Sequence, residues 1–293
     1  MKILFCTDGS SISYNALENF ALWVKDKKVD ADIISAIDLS ILPGEFSVEE
    51  EHFMNSCANV ASGILDNAQE DVEKLGLICD EKIKVCGPAV DSILNQIEKA
   101  KYDMVLMGSH GRKGIQKWLG SVSQDVIASV KLTSYISKYK NRAQKILFPL
   151  DGSQQSFDGA EYILKTFNLE NKDICACIVN EEPDILFFEG NMDKNWKEEI
   201  ERNQQLYASS VINRFGEILK KYNFSLTESA ILKGNISQKI IEYVSKNKVD
   251  LVCMTGRNLT KVQKFILGST SKRVLANTQA DTVIVNVNYE TNS

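Results

Sequence analysis

The chain begins, after Met1, with Lys2-Ile-Leu-Phe-Cys-Thr-Asp-Gly-Ser10, and the same pattern returns as Lys145-Ile-Leu-Phe-Pro-Leu-Asp-Gly-Ser153. Each copy is an apolar run of strand length that leads into a turn able to open a helix. The repetition continues further along, where Tyr102-Asp-Met-Val-Leu-Met107 is matched by Val249-Asp-Leu-Val-Cys-Met254. Matching blocks in the same order indicate two copies of one domain, with length differences confined to loops.

The length of 293 residues also fits two domains, each large enough to bury its own core. We place the first domain at residues 1–142 and the second at 143–293. The junction, around Asn141 to Gln144, is short and polar, with no Gly or Pro. Such a short link keeps the copies close. We therefore predict an internal pseudo-dimer that pairs the edge strands near 133–137 and 282–288.

Short β-rich runs alternate with helical patterns in both copies, which is typical of βαβ units and a mainly parallel sheet. The expected strands lie near 2–7, 32–38, 80–86, 103–108 and 133–137, and near 145–150, 173–179, 226–232, 250–255 and 282–288. Helices are expected from the N-cap Ser10 to about Asp26, from about 49 to 75, and near 194–222. The sequence therefore predicts an α/β fold with five strands in each copy.

Composition excludes several classes of function. The net charge is −5 and no basic run exceeds two lysines, so we expect no nucleic-acid partner. No window approaches 18 apolar residues, and the N-terminus enters a strand without a signal-peptide pattern, so we expect a cytoplasmic protein without a membrane partner.

The seven cysteines form no Cys-x-x-Cys pair. Their odd number and apolar surroundings predict reduced, buried thiols, so folding should need neither a disulfide nor a metal. A metal site at Cys175 and Cys177, on one face of a strand, is the weaker alternative because the chain has only two histidines.

Polar residues follow the first strand of each copy. Ligands of open parallel sheets bind beyond the carboxyl ends of the strands, where Thr7 and Asp8 lie in the first copy and Asp151 lies in the second. A carboxylate at this place could accept a hydrogen bond from a sugar hydroxyl or hold a divalent cation. The alternative is a simple strand-to-helix turn capped by Ser10, and the recurrence of Asp-Gly-Ser favours the functional interpretation.

A glycine-containing loop follows the fourth strand of the first copy. Met107-Gly108-Ser109-His110-Gly111 is followed by basic residues and then by Gly120-Ser121, which can open a helix. Glycines let the backbone approach an anion, and a helix N-terminus offers N–H groups with a favourable dipole. The loop therefore has the chemistry of a phosphate cradle.

Together, the ILF-x-TDGS strand and MGSHGRKG…LGS resemble the universal stress protein family over essentially the whole chain, once per copy. The resemblance implies a doubly wound, Rossmann-like five-stranded domain, usually dimeric, and ATP, or ADP or AMP, as ligand, with or without magnesium. Carried onto matching positions, it implies a nucleotide site formed by Thr7, Asp8, Ile37, Gly87, Met107, Gly108, Gly111, Gly120, Ser121 and Val122. In the second copy the matching positions are Asp151, Val179, Gly268 and Ser269.

Both copies depart from the family pattern G-x2-G-x9-G-(S/T). The first copy has eight residues instead of nine between Gly111 and Gly120, and the second has Thr255 and Asn258 where the first two glycines belong. Added Cβ atoms obstruct a phosphate more than one missing loop residue does. We therefore predict that the first copy binds an adenine nucleotide more tightly than the second.

These observations favour a non-catalytic regulatory protein that binds an adenine nucleotide, with a role in stress implied by the resemblance alone. There is no P-loop and no G-x-G-x-x-G motif. Two alternatives stay open: a nucleotide-free scaffold for an unidentified protein partner, and a slow ATP hydrolase of the adenine-nucleotide α-hydrolase-like group. A further homodimer of the pseudo-dimer also stays open.

Overall fold

A computed structural model describes residues 1–37, 50–110, 119–181, 194–256 and 267–286. The elements of the first half are β1 (Lys2–Cys6), α1 (Ser11–Trp23), β2 (Asp30–Ile37), α2 (Glu50–Lys74), β3 (Ile78–Cys86), α3 (Ala89–Lys99), β4 (Met104–Gly108), α4 (Ser121–Ser129) and β5 (Thr133–Ser137). Those of the second half are β6 (Lys145–Pro149), α5 (Gln154–Thr166), β7 (Asp173–Asn180), α6 (Lys194–Lys221), β8 (Glu228–Lys233), α7 (Ile236–Asn247), β9 (Leu251–Thr255), α8 (Ser269–Asn277) and β10 (Asp281–Val285). The predicted alternation of strands and helices is confirmed in both halves.

The strands form one ten-stranded sheet in the order β3-β2-β1-β4-β5-β10-β9-β6-β7-β8. Pairing is parallel within each half, whereas β5 and β10 pair antiparallel, with Tyr135 opposite Val283. The two halves therefore join edge to edge, as the sequence predicted, and each covers the edge strand of the other. The boundary between residues 142 and 143 lies in the connection from β5 to β6 and stays a prediction.

Helices cover both faces of this sheet. Buried residues of α1, α2, α5 and α6 share one core with the strands, and those of α3, α4, α7 and α8 share the other. Both cores run across the junction. In the first, Phe167 of the second half stacks on Trp23 with ring centroids 6.5 Å apart and lies edge-on to Phe20 at 6.1 Å.

Helix α1 ends earlier than predicted. The sequence pattern extends it to about Asp26, but the last helical residue is Trp23, and Val24 closes the helix by donating its N–H to the carbonyl of Phe20. Asp26 then adopts a left-handed backbone with a φ of 65°. An aspartate tolerates this conformation, which turns the chain toward β2.

The expectation that all cysteines are reduced is wrong, because Cys57 of α2 and Cys86 of β3 form a disulfide with Cα atoms 6.2 Å apart. Spacing alone could not reveal this pair, since the packing of α2 on β3 brings the two residues together. Cys175 and Cys177 are free thiols, and burial raises the pKa of Cys175 to about 11 and that of Cys177 to about 12. Among the described residues, no cluster of three potential His, Cys, Asp or Glu ligands is present.

Hydropathy of the helices is also informative. Within the described ranges, none of the helices combines the length and apolar character that crossing a bilayer requires.

Candidate nucleotide-binding site

The order of the strands creates one switch point in each half. Strand β1 lies between β2 and β4, and β6 lies between β7 and β9. In each half, the chain first adds strands on one side of the central strand and then crosses to its other side. The crevice outside the carboxyl ends of such strands is the usual ligand site of open α/β sheets. Because β5 and β10 are antiparallel, the two crevices open at opposite edges of the continuous sheet.

Beyond β1, the chain makes the tight turn that the sequence predicted. The Oδ1 atom of Asp8 accepts a hydrogen bond from the Ser10 N–H at 3.0 Å, and Ser10 Oγ caps α1 by accepting from the Ser13 N–H at 3.3 Å. The hydroxyls of Thr7 and Ser13 lie 2.7 Å apart, and Gly9 has a φ of 73°. The turn thus has a structural role, and it also places the Asp8 carboxylate at the switch point.

The ends of β2 and β3 form a second part of the crevice, which we call the β2–β3 edge and define by Ile37, Cys86 and Gly87. Ile37 is paired with Cys86, and the Gly87 N–H donates to the Ile37 carbonyl at 3.0 Å. A Cβ atom at Gly87 would meet nothing within 4 Å. Packing therefore does not require glycine there.

Gly108, by contrast, is required by packing. A Cβ atom at this position would lie 2.9 Å from Ile12 Cγ2 and 3.0 Å from the Ser13 nitrogen, at the start of α1. The sequence interpretation assigned this glycine to phosphate binding, but the close approach of α1 to β4 explains it independently. The neighbouring Met107 is buried and opposite Cys6 of β1, which brings the ends of β1 and β4 together.

The start of α4 lies beside the end of β4. The Gly120 N–H donates to the Ser109 carbonyl at 2.6 Å, so residues on either side of 111–118 meet. Gly120 is the N-cap of α4 and has no side chain to accept from the first turn, which begins with Ser121 and Val122. The N–H groups of that turn are suited to an anion. Gly111 lies outside the described residues.

The described first-half members of the predicted site therefore lie at one edge of the sheet, at the ends of β1 to β4 and the start of α4. Three serines outside the predicted set also build this edge. Ser13 Oγ donates to the Ser10 carbonyl at 2.8 Å, Ser123 Oγ donates to the Gly108 carbonyl at 2.8 Å, and the Ser109 hydroxyl lies 3.0 Å from His110 Nδ1. Ser13 and Ser123 could have been found from the sequence, since they recur as Ser156 and Ser271 at matching positions, and Ser156 repeats the contact of Ser13.

In the second half, the turn after β6 has the same form and an aromatic neighbour. Asp151 Oδ1 accepts from the Ser153 N–H at 2.9 Å and from the Ser153 hydroxyl at 2.6 Å. Gly152 has a φ of 79°, and the Tyr207 ring of α6 occupies the space beside it, where any Cβ atom would overlap the Tyr207 hydroxyl. Tyr207 thus fills the space beside Gly152, while Asp151 stays exposed.

The remaining second-half positions match their counterparts. Val179 lies near the end of β7, opposite Leu232, while Gly268 is the N-cap of α8 and Ser269 is its first residue.

Thr255 occupies the place of Gly108, and its methyl group lies against α5. A Cβ atom at Gly159 of α5 would overlap Thr255 Cγ2, so the threonine methyl points at this helix. Gly159 has no side chain, which leaves room for this methyl group. Asn258, the second substituted position, lies outside the described residues.

The model of the universal stress protein family matches the chain twice, over residues 1–135 and 142–286. The chain therefore belongs to the universal stress protein family. It is 22% identical over 301 residues to universal stress protein Slr1230 of Synechocystis, covering 94% of this chain and 96% of that protein. It is also 23% identical to universal stress protein MJ0531 of Methanocaldococcus jannaschii, over 53% of this chain and 88% of that one.

Solved structures agree on the fold. A universal stress protein from Archaeoglobus fulgidus superposes with a TM-score of 0.69 at 18% identity, covering 97% of both chains. A putative universal stress protein from Pseudomonas aeruginosa has a TM-score of 0.60 at 12% identity, covering 97% of this chain and 92% of that one. At these identities the likeness establishes the architecture.

Proposed function

We propose that this protein is a non-catalytic regulator that binds an adenine nucleotide in the crevice of its first half, where the triphosphate of ATP or the shorter chain of ADP or AMP meets the start of α4. The observation that carries the proposal is the hydrogen bond from Gly120 to Ser109, since it sets an N-terminus without a side-chain cap at the switch point of the sheet. We extend the proposal to a role in the cytoplasmic stress response, which membership of the family supports.

Each part of the nucleotide has a suitable place in this crevice. Asp8 can accept hydrogen bonds from ribose hydroxyls or hold magnesium beside the phosphates. Ile37 offers an apolar contact for adenine, and Gly87 leaves open space next to it. The phosphates then lie over Gly120, Ser121 and Val122, where N–H groups and the helix dipole favour negative charge.

The proposal assigns no turnover to the site. Ser109 and His110 are in hydrogen-bond range, but only 1% of Ser109 and 7% of His110 are exposed. A nucleophile has to reach the bound substrate, and a hydroxyl so deeply buried is not presented to one. We therefore favour binding over hydrolysis.

The matched variants Asp8→Ala and Asp151→Ala test the site. Both remove a carboxylate that accepts a hydrogen bond from the backbone N–H two residues further along the chain, and Asp151→Ala also removes the acceptor of the Ser153 hydroxyl. In calorimetric titrations with ATP and magnesium, Asp8→Ala should weaken binding by about 10-fold or more, as expected for a charge-assisted hydrogen bond, while Asp151→Ala should change it less than about twofold.

Three outcomes would contradict the proposal. Absence of binding of ATP, ADP and AMP to the wild type would favour the scaffold. Loss of binding in Asp151→Ala but not in Asp8→Ala would move the site to the second half. Phosphate release from ATP that disappears in Asp8→Ala would favour the hydrolase.

A further inference from the structure

Helix α2 is tied to β3 by three links between described side chains. Asp66 pairs with Lys82 at 2.8 Å, Ser62 accepts from Lys84 at 3.3 Å, and the Cys57–Cys86 disulfide follows at the carboxyl end of the strand. The disulfide is thus the link nearest the candidate site. Cys86 is the last residue of β3 and belongs to the β2–β3 edge, next to Gly87 and opposite Ile37.

The second half makes the corresponding link without sulfur. Lys233, the last residue of β8, pairs with Glu201 of α6 at 2.8 Å. The Gly234 N–H then donates to the Asn180 carbonyl at 3.0 Å, the counterpart of the bond from Gly87 to Ile37. At the carboxyl end of the third strand, the long helix is therefore held by an ion pair in the second half and by a covalent bond in the first. Only the covalent link can respond to thiol chemistry.

The remaining cysteines are poor candidates for redox chemistry. Cys6, Cys175, Cys177 and Cys253 are buried, whereas Cys79 is partly exposed. Burial raises the pKa of all five thiols, which suppresses the reactive thiolate. Cys86 is partly exposed, whereas its partner Cys57 is only 4% exposed. We therefore assign the attack of an external thiolate to Cys86, the more exposed of the two residues.

We propose that Cys57 and Cys86 form a reversible dithiol–disulfide site that regulates nucleotide affinity at the first-half crevice. This regulation rests on the function proposed above. The cysteine pair would react with a dithiol as reductant and with the corresponding disulfide as oxidant.

The chemistry of the reduction is a two-step thiol–disulfide exchange. A thiolate of the dithiol attacks the Cys86 sulfur, the bond to Cys57 breaks, and the Cys57 thiolate leaves and takes up a proton. The second thiol of the reductant then loses its proton and attacks the mixed disulfide, which releases Cys86 as a thiolate that is protonated in turn. Two electrons pass from the dithiol to the protein, and the reductant becomes a disulfide. Oxidation is the reverse reaction.

The oxidised form is the one with the higher nucleotide affinity. The disulfide fixes the end of β3 against α2 and thereby orders Ile37 and Gly87 before the ligand arrives. Ordering these residues in advance lowers the conformational cost of binding. Reduction should therefore weaken ATP binding at least about fivefold, the lower end of common coupling between two sites.

The test compares the full chain equilibrated with dithiothreitol and with oxidised dithiothreitol. ATP affinity is measured by calorimetry, and backbone order by hydrogen exchange of the peptides that contain Gly87 and Gly234. We expect weaker ATP binding and at least about threefold faster exchange at Gly87 in the reduced protein, with unchanged exchange at Gly234, since the link beside Gly234 is ionic.

Two variants complete the test. The double variant Cys57→Ser, Cys86→Ser should behave like the reduced wild type in either buffer. The control Cys79→Ser, which replaces a free cysteine of the same strand, should keep the full redox response. Should the double variant fail to fold, the comparison of the two wild-type forms still decides.

Equal ATP affinity in the two wild-type forms would overturn the regulation. If neither form binds nucleotide, the proposed function fails and the regulation of affinity fails with it. The exchange measurement separates the two failures. If exchange at Gly87 depends on the redox state but no nucleotide binds, only the proposed nucleotide binding is contradicted. If exchange at Gly87 is the same in both forms, the redox control itself is contradicted.

Discussion

Asn19 of α1 donates a hydrogen bond through Nδ2 to the Oδ2 atom of Asp281 at 2.9 Å, linking the first half of the chain to the first residue of β10. Both side chains are completely buried. The same carboxylate accepts from the Tyr135 hydroxyl at 2.7 Å and from the Lys138 N–H at 3.1 Å. Burial outweighs these donors and raises the pKa of Asp281 from 3.8 to about 6. The junction between the halves therefore contains a titratable group.

This pKa predicts a specific dependence of stability on pH. A carboxyl group whose pKa is higher in the folded state binds its proton more tightly there, so its contribution is present below the unfolded pKa of 3.8 and is lost as the pH rises through about 6. Between pH 4 and pH 7, the free energy of unfolding of the wild type should fall by on the order of 2–3 kcal/mol relative to that of Asp281→Asn.

Urea unfolding of both proteins across this range measures the difference. The asparagine also loses an acceptor, which lowers stability at every pH, so the slope is the relevant quantity. Lys138 stays charged in this window, since burial lowers its pKa only to about 8. Parallel curves for the two proteins would contradict the prediction.

Phe167 tests whether the two halves share one core. The ring is 1% exposed and contacts Phe20 and Trp23 across the junction. Phe167→Ala should lower the free energy of unfolding by about 3–5 kcal/mol, with both halves still unfolding in one transition. Leu206→Ala is the control, because Leu206 is 60% exposed and should cost no more than about 0.5 kcal/mol. An early transition confined to one half would show separate cores.

Gly159 and Thr255 form a complementary pair that a double-mutant cycle can measure. Gly159→Ala improves helix propensity by about 1 kcal/mol, yet its Cβ atom would overlap Thr255 Cγ2. Alone, it should therefore destabilise by about 1–3 kcal/mol, whereas in a Thr255→Ser background it should be neutral or stabilising. Chemical denaturation of the four proteins gives the coupling energy. Additive effects would mean that the side chain of Thr255 does not fill the space at Gly159.

The difference between the two crevices is testable at the phosphate loops. The second half has Asn258 at the position of Gly111, and Tyr207 fills the space beside Gly152. We expect Gly111→Val to weaken binding of ATP with magnesium by about 10-fold or more, because a side chain keeps backbone N–H groups from the phosphate, and Gly268→Val to leave it within about twofold. Titration calorimetry on the full chain decides, and the opposite result would reverse the assignment of the stronger site.

Local signals made much of the fold predictable. The two Asp-Gly-Ser turns repeat because each must end a strand and cap a helix within four residues, and both caps form, at Ser10 and Ser153. The parallel strands could be predicted from apolar runs, because helices cover both faces of the sheet. The end of α1 was less predictable, because a left-handed backbone conformation such as that of Asp26 does not change the periodic pattern of apolar residues.

Contacts between distant residues made the site less predictable. The loop pattern singled out Gly108 for phosphate binding, but the packing that requires glycine there involves Ile12, almost a hundred residues away. Tyr207 is an exposed aromatic residue in a long helix, and no spacing relates it to Gly152. The nucleotide contacts drawn from the family resemblance stay predictions.

The sequence by itself determined that this protein consists of two related α/β halves, because repetition, apolar periodicity and capping residues act over a few neighbours. Only the tertiary structure decided that Cys57 is joined to Cys86 and that Asp281 is buried against Asn19. It also decided that the two crevices open at opposite edges of one sheet. These features depend on how helices and edge strands pack, and packing joins residues whose separation along the chain carries no local signal.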